Sequence, residues 1–452
     1  MKRALSAAVM TVLVLGCGGG GASFHEVAPT PRRLVVWLGN EGLDSATAQR
    51  MRDAGVDEIV VRRGSMNLTG QAPVLRFNPM PPVEGAIPVG IELEVQGVRA
   101  DLDRSAAEAV WRAIDAELAG SVPAELILDL PRLAEGLDEF VTALTEASGV
   151  SVVPLLSFEQ IQHEEGLRTA AAARICIVPA FGTDGADLRG VAELDPLPLW
   201  KKLEPLAGTG VRVRPAVVLT PRTEPAIEGP GDDLDPLTDV ATVSTTSILD
   251  RTFTFEKSAT WSGRSWKKGD TVAVRWVDAA RLNAALTEIH RVVLPEVAGW
   301  DLVPLPPEDQ SLGLGRETLL RYLEGEGPAP EVDVDVERDG QILRVVLNNT
   351  GPFVTAVTNH GSWVQVSVDE GWVRARDRGS FDGLRLGNVQ GDDWREGDFD
   401  RFNGARFTEV YLGPFEHIMS GWVRLPSSGT KVTVRWNLTL SDGSSVTGEI
   451  IR

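Results

Sequence analysis

Short β-branched runs alternate with amphipathic helical patterns along this chain for nearly three hundred residues from position 32. Strands that each hand on to a helix return in the same direction, so the pattern predicts a parallel α/β sheet. Eight strands are expected, at 34–39, 58–63, 89–95, 126–130, 152–157, 175–181, 211–220 and 300–305. Helices are expected at 45–54, 105–119, 133–147, 158–172, 198–206 and 279–294, with a last one at 317–323. Only the connection 63–88, rich in Pro, Gly and Asn, shows no helical period. Eight strands at this spacing fit a closed (β/α)8 barrel of the TIM type better than an open doubly wound sheet.

One connection is too long for a compact barrel. Almost sixty residues separate the seventh strand from the helix near Ala279, and their alternation at 252–255 and 271–276 predicts a β-hairpin inserted at about 222–270. Leaving a strand's C-terminal end, it would lie on the face where barrels keep their active sites. Past the Gly/Pro-rich stretch 325–330 the period switches from 3.6 to 2. Turn signals such as Asp339-Gly340 separate the runs, and 331–452 reads as an all-β sandwich. The expected organisation is therefore 32–326 as barrel and 331–452 as sandwich.

The first residues read as an address. Lys2 and Arg3 precede an apolar stretch, and Leu13-Val14-Leu15-Gly16-Cys17 has the pattern of a lipoprotein signal peptide, 1–17, ending at an acylated cysteine. The apolar run is too short to span a bilayer. Glycines 18–21 open a tether, 18–31, with a reach of roughly 20 Å. The expected localisation is outside the cytoplasm, lipid-anchored to the cell envelope through Cys17, with Gly18 rather than Asp at the next position favouring the outer membrane.

Composition narrows the partners. Among 452 residues, 64 acidic and 44 basic side chains leave a formal charge of −20, which disfavours nucleic acid. With one of two cysteines assigned to lipid, Cys176 has no partner within the chain and reads as a small buried hydrophobe in the sixth strand. No Gly-x-Ser-x-Gly elbow, phosphate loop, dinucleotide fingerprint or His-Glu-x-x-His occurs, so neither a nucleotide nor any other cofactor is expected.

Three stretches carry a family likeness: 34–37 (Leu-Val-Val-Trp), 126–133 (Leu-Ile-Leu-Asp-Leu-Pro-Arg-Leu), and 299–306 followed by Glu317-Thr318-Leu319-Leu320. In them the chain resembles a bacterial family known only as a domain of unknown function, number 3142, which looks like a glycoside-hydrolase-type barrel. The resemblance covers roughly 32–326. It implies a fourth strand ending in Asp-aromatic-Asp, whereas this chain keeps Asp129 and has Pro131 in place of the second carboxylate.

Glycoside cleavage needs two carboxyl groups, one protonated and one ionised. Glu92 and Glu94 alternate on the third strand and project to one side, and Asp129 ends the fourth. Glu94 and Asp129 are the candidate catalytic pair, with Glu92 contacting substrate. Structural hydrogen bonding, or sugar binding without cleavage, explains the same acids. Trp37 at a strand end and Trp261 and Trp266 in the insertion are candidate sugar-stacking platforms beside their ordinary role as core, and Trp394 sits in a polar loop. A metal on Glu159, His163 and Glu164 is weighed against the helix dipole's preference for such residues and set aside. The acidic loop formed by Asp392, Asp393, Asp398, Asp400 and Asn403 departs from calcium-loop spacing and reads as turns. The expected function is an envelope lipoprotein whose barrel binds a polysaccharide and, if the carboxylates act, hydrolyses it. The alternative is a non-catalytic scaffold that holds a protein partner.

Overall fold

The structure, a computed structural model, describes residues 33–39, 42–70, 72–85, 87–99, 102–181, 199–219, 222–224, 237, 240–247, 250–292, 296–306, 313–327, 329–351, 353, 361–381, 383–391, 393–397, 400–408, 410, 412–413, 416–440 and 444–452. Eight parallel strands close on themselves: β1 (Leu34–Leu38), β2 (Glu58–Leu68), β3 (Val89–Val98), β4 (Glu125–Asp129), β5 (Ser151–Leu155), β6 (Ile175–Phe181), β7 (Arg212–Val218) and β8 (Trp300–Val303). Each pairs with its sequence neighbour, and β1 pairs with both β2 and β8, which closes the barrel. The helices are α1 (Ser45–Asp53), α2 (Arg104–Glu117), α3 (Leu137–Ser148), α4 (Glu164–Ala173), α5 (Leu199–Lys202), α6 (Ala279–Arg291) and α7 (Arg316–Leu323).

Local chemistry places these helices. Asp44, Asp103 and Asp278 are N-caps whose carboxylates accept from the backbone N–H of Thr47, Ala106 and Arg281. The α4 pattern begins later than its period implied because Gln160–Gln162 forms a 3-10 turn first. Outward strand residues such as Val36, Ile59, Ile91 and Leu126 pack with Met51, Val110, Phe140 and Leu286 of the helices into one continuous core. Inward residues Val35, Trp37, Val60, Ile127, Val153, Ile177 and Ala216 form a second cluster filling the lumen. This barrel is a packed core and not a pore.

The helix-free connection after β2 has its own solution. β2 runs on to Leu68, and an added strand, Val74–Phe77, folds back antiparallel to it. Gly64 makes the bend feasible. It sits at a register shift against β3 with φ +141°, and a Cβ there would lie 1.9 Å from the Arg76 carbonyl oxygen. Gly64→Ala is therefore expected to cost roughly 3 kcal/mol in a denaturant melt. A loss below about 1 kcal/mol would mean that the returning strand moves aside.

The expected inserted hairpin is larger than its alternation implied. Strands Arg222–Glu224, Ala241–Ser247, Asp250–Phe255 and Thr271–Arg275 form a four-stranded antiparallel sheet, and Ala259–Trp261 pairs with Arg264–Trp266 as a separate hairpin. Phe253, Phe255, Trp261, Trp266, Val272, Val274 and Trp276 give this insertion a core of its own. Downstream, antiparallel sheets of five and six strands enclose a third core that includes Leu343, Val345, Leu347, Val364, Val366, Phe407, Val432 and Val434. They form a β-sandwich.

Candidate active site at the barrel rim

Charged residues occupy the lumen at two levels. At the N-terminal end, Arg214 of β7 is fully buried and donates to both oxygens of Glu125 at 2.7 and 2.6 Å and to Asp301 at 3.0 Å. Arg33 donates to Glu58 and, at 3.1 Å, to Glu125. Trp37 belongs to this plug: its indole N–H donates to Asp301 at 2.9 Å and its ring is 5% exposed. The expectation of a sugar platform at Trp37 is thereby corrected, because the Asp301 carboxylate draws the ring into the lumen.

The second level is the C-terminal rim, built by β2, β3 and β4. Arg62 stands opposite Glu92, and Glu94 stands opposite Asp129. Adjacent strands lie about 4.8 Å apart. Alternation aims all three carboxylates into the barrel mouth, as the two-residue spacing of Glu92 and Glu94 predicts. Arg62, which sequence reasoning missed, donates to Glu94 at 2.8 Å and lies 3.8 Å from Glu92. Its own position, two residues short of the Gly64 bend, carried no signal in the sequence.

Burial sorts these acids. Glu92 is 4% exposed, and desolvation pushes its carboxyl up to about 7, Arg62 pulling it back while Asp129 and Glu94 push it further up. Burial also raises Asp129 above the ordinary aspartate range, again against the pull of Arg62 and with a push from Glu94. Glu94 is one-third exposed and ion-paired. The rim thus holds two carboxyls whose hold on a proton is strengthened by burial beside one carboxylate paired with a cation. That division suits acid/base work. Glu92 is too enclosed to be the group that meets substrate, which leaves Glu94 and Asp129 as the accessible pair.

The Glu92 shift predicts a pH signature. Because its folded value lies above the unfolded one, its stabilising contribution is complete below about 4.5 and disappears as pH rises through about 7. Glu92→Gln should match the parent protein near pH 4.5 and exceed it by roughly 3 kcal/mol above pH 8. Equal denaturation midpoints for the two proteins at both pH values would contradict this.

A cavity of about 630 Å³ opens beside Asp129 at the ends of β4, β5 and β6, lined by Asp129, Pro131, Arg132, Leu155, Glu159 and His163 among others, Glu94 standing outside its lining. Glu159 and His163, weighed earlier as metal ligands, thus face this cavity, whereas Glu164 turns away to Arg168 at 3.8 Å. No cluster of metal-ligating side chains occurs among the described residues. Pro131, the departure from the family pattern, forms part of the wall.

The remaining candidates resolve into packing. Trp261 and Trp266, 7% and 3% exposed, close the core of the insertion, with Trp266 stacked on Phe255 at 5.0 Å. Neither offers an open ring face to a sugar, because both are buried with Phe253, Phe255, Val272 and Val274 in the insertion's own core. Trp394 packs over Gly387 and Gly404 and donates to Glu396. Cys176 is fully buried and its thiol is pushed up to about 12, as an inert core residue requires. In the acidic loop, Asn403 satisfies the backbone N–H and carbonyl of Val389, a structural role; Asp392 and Asp398 lie outside the described residues. Cys17 and the tether also lie outside them.

No family model and no curated protein matches the chain. Among solved structures it is similar to chitinase ChiW from Paenibacillus sp. str. FPU-7, at 9% identity and TM-score 0.40, covering 93% of this chain and 42% of that one. It is similar also to Bacteroides uniformis beta-glucuronidase 2, at 10% identity and TM-score 0.33 over 93% and 45% of the two chains. A GH30 endoxylanase from Clostridium papyrosolvens C71 matches at 8% identity and TM-score 0.28, over 88% and 98%. The chain spans less than half the length of the first two.

Proposed function

We propose that the protein is an exported, lipid-anchored member of the cell envelope whose barrel binds and hydrolyses a polysaccharide. The observation that carries this reading is the in-register pair of Glu94 and Asp129 at the barrel mouth, one ion-paired with Arg62 and the other raised by burial and lining a 630 Å³ cavity. Asp129 supplies the proton to the leaving oxygen and Glu94 acts as nucleophile or base. Glu92 sits behind them and helps to hold Arg62. The anchor rests on the pattern ending at Cys17.

One observation favours the scaffold alternative: among the described residues the cavity named above is walled by aliphatic, proline, polar and charged side chains, with no Trp, Tyr or Phe ring for a sugar to stack on. Among the described residues the insertion, which would have blocked the cavity in that reading, contributes none to its lining. The deciding experiment screens the full chain against cell-wall and exopolysaccharide glycans for release of reducing ends. Release that Glu94→Gln and Asp129→Asn abolish supports the hydrolase. Binding that survives in both variants without release by any of them leaves a carbohydrate-binding barrel, and neither activity across the panel returns the barrel to the scaffold reading.

A further inference from the structure

On the outer face of the sandwich's five-stranded sheet, acids (Asp333, Asp335, Glu337 and Asp339) line the edge strand Val332–Asp339, and arginines gather at the opposite end. Arg374–Ala375 pairs antiparallel with Val423–Arg424, which sets Arg374 directly opposite Arg424. Ala375 and Val423 point into the core and the arginines into solvent. The same alternation brings Trp372, Arg376 and Trp422 to the outer side. Both tryptophans are large exposed hydrophobics, at 49% and 43%. Each has a guanidinium against its ring, Arg401 at 4.5 Å on Trp372 and Arg344 at 4.9 Å on Trp422.

Like charges directly opposed across a ladder destabilise a sheet. Arg344 is neutralised by Glu337 at 2.5 Å, but the guanidinium groups of Arg374, Arg376 and Arg424 have neither a hydrogen bond nor an ion pair among the described residues. The nearby Asp377 is engaged with the backbone N–H of Gly379. In a chain with 64 carboxylates and 44 basic side chains, three neighbouring arginines without a side-chain counter-ion among the described residues leave a local patch of positive charge open to an anionic partner.

We propose that this face binds the chain of an acidic polysaccharide. The guanidinium forks take its carboxylates and the two indoles take apolar faces of its sugar rings. Charge complementarity is local: a net charge of −20 repels a duplex that carries one charge per roughly 1.7 Å, whereas a uronate chain places its charges a sugar ring apart. The face shares no residue with the barrel rim, so it stands or falls independently of hydrolysis there.

The test is affinity electrophoresis of the full chain at about 0.1 M salt, where charges more than roughly 10 Å apart are screened. The gels carry polygalacturonate, carboxyl-reduced polygalacturonate or poly(U). Retention by polygalacturonate alone is expected, weakened at least tenfold by Arg374→Ser with Arg424→Ser and also by Trp372→Ala with Trp422→Ala. The double arginine variant should keep or raise the thermal midpoint, since it removes a repulsion. No retention, equal retention by the carboxyl-reduced polymer, stronger retention by poly(U), or retention indifferent to the substitutions would each overturn the proposal.

Discussion

Replacing Arg214 by Met should destabilise the protein by about 3–5 kcal/mol at pH 7, the range seen when one partner of a buried ion pair is removed. Arg214 is the only cation that reaches both Glu125 and Asp301 among the described residues, and all three are fully buried. Its removal leaves two carboxylates facing each other inside the barrel, with Arg33 on Glu125 and the Trp37 indole on Asp301 as their remaining donors. The triple variant Arg214→Met, Glu125→Gln, Asp301→Asn removes charge and partner together and should recover most of the loss. Burial already raises Asp301 to about 6. Mild acid should therefore relieve the single variant by neutralising that carboxylate. Urea midpoints read all of these effects. A single variant within about 1 kcal/mol of its parent would show that the plug is solvated and contributes little.

The second large effect belongs to the rim. Where the glycan screen finds a cleaved substrate, Glu94→Gln should lower kcat by at least about a thousandfold, because it removes the nucleophile or base itself. Asp129→Asn removes the proton donor and should cost about a hundredfold to ten-thousandfold. The alkaline limb of the pH profile is informative as well. Asp129 is raised by burial, so activity should fall as it deprotonates, at a pH above the ordinary aspartate range. That limb should vanish in Asp129→Asn. A hydrolase whose pH limb survives this substitution would move the acid from Asp129 to another group. Full release by both single variants would remove the reaction from this rim.

Periodicity made the barrel legible. Runs that alternate at 2 and then at 3.6 residues determine which segments become strands and helices, since each must bury one face, and all eight expected strands occur within a few residues of their expected bounds. The same rule placed Glu92 and Glu94 on one side of β3 and Asp129 beside them, because side-chain direction along a strand is a local property. It equally marked the all-β region from Val332 onward.

What the sequence by itself could not determine depends on contacts between distant positions. Arg62 becomes a rim residue only when β2 lies against β3, 32 residues away from the Glu94 that it pairs with. Trp37 looked like a platform because it ends a strand, and it entered the lumen because Asp301, 264 residues on, accepts from its indole. Trp261 and Trp266 stand among polar residues in the chain and yet fill a core, because the insertion folds as a sheet with an apolar layer to close. Arg374 and Arg424 are unremarkable fifty residues apart, and only antiparallel pairing makes them a destabilising neighbour pair. Period is written residue by residue, whereas charge pairing and burial are set by which segments meet, and that is the contribution of the tertiary structure.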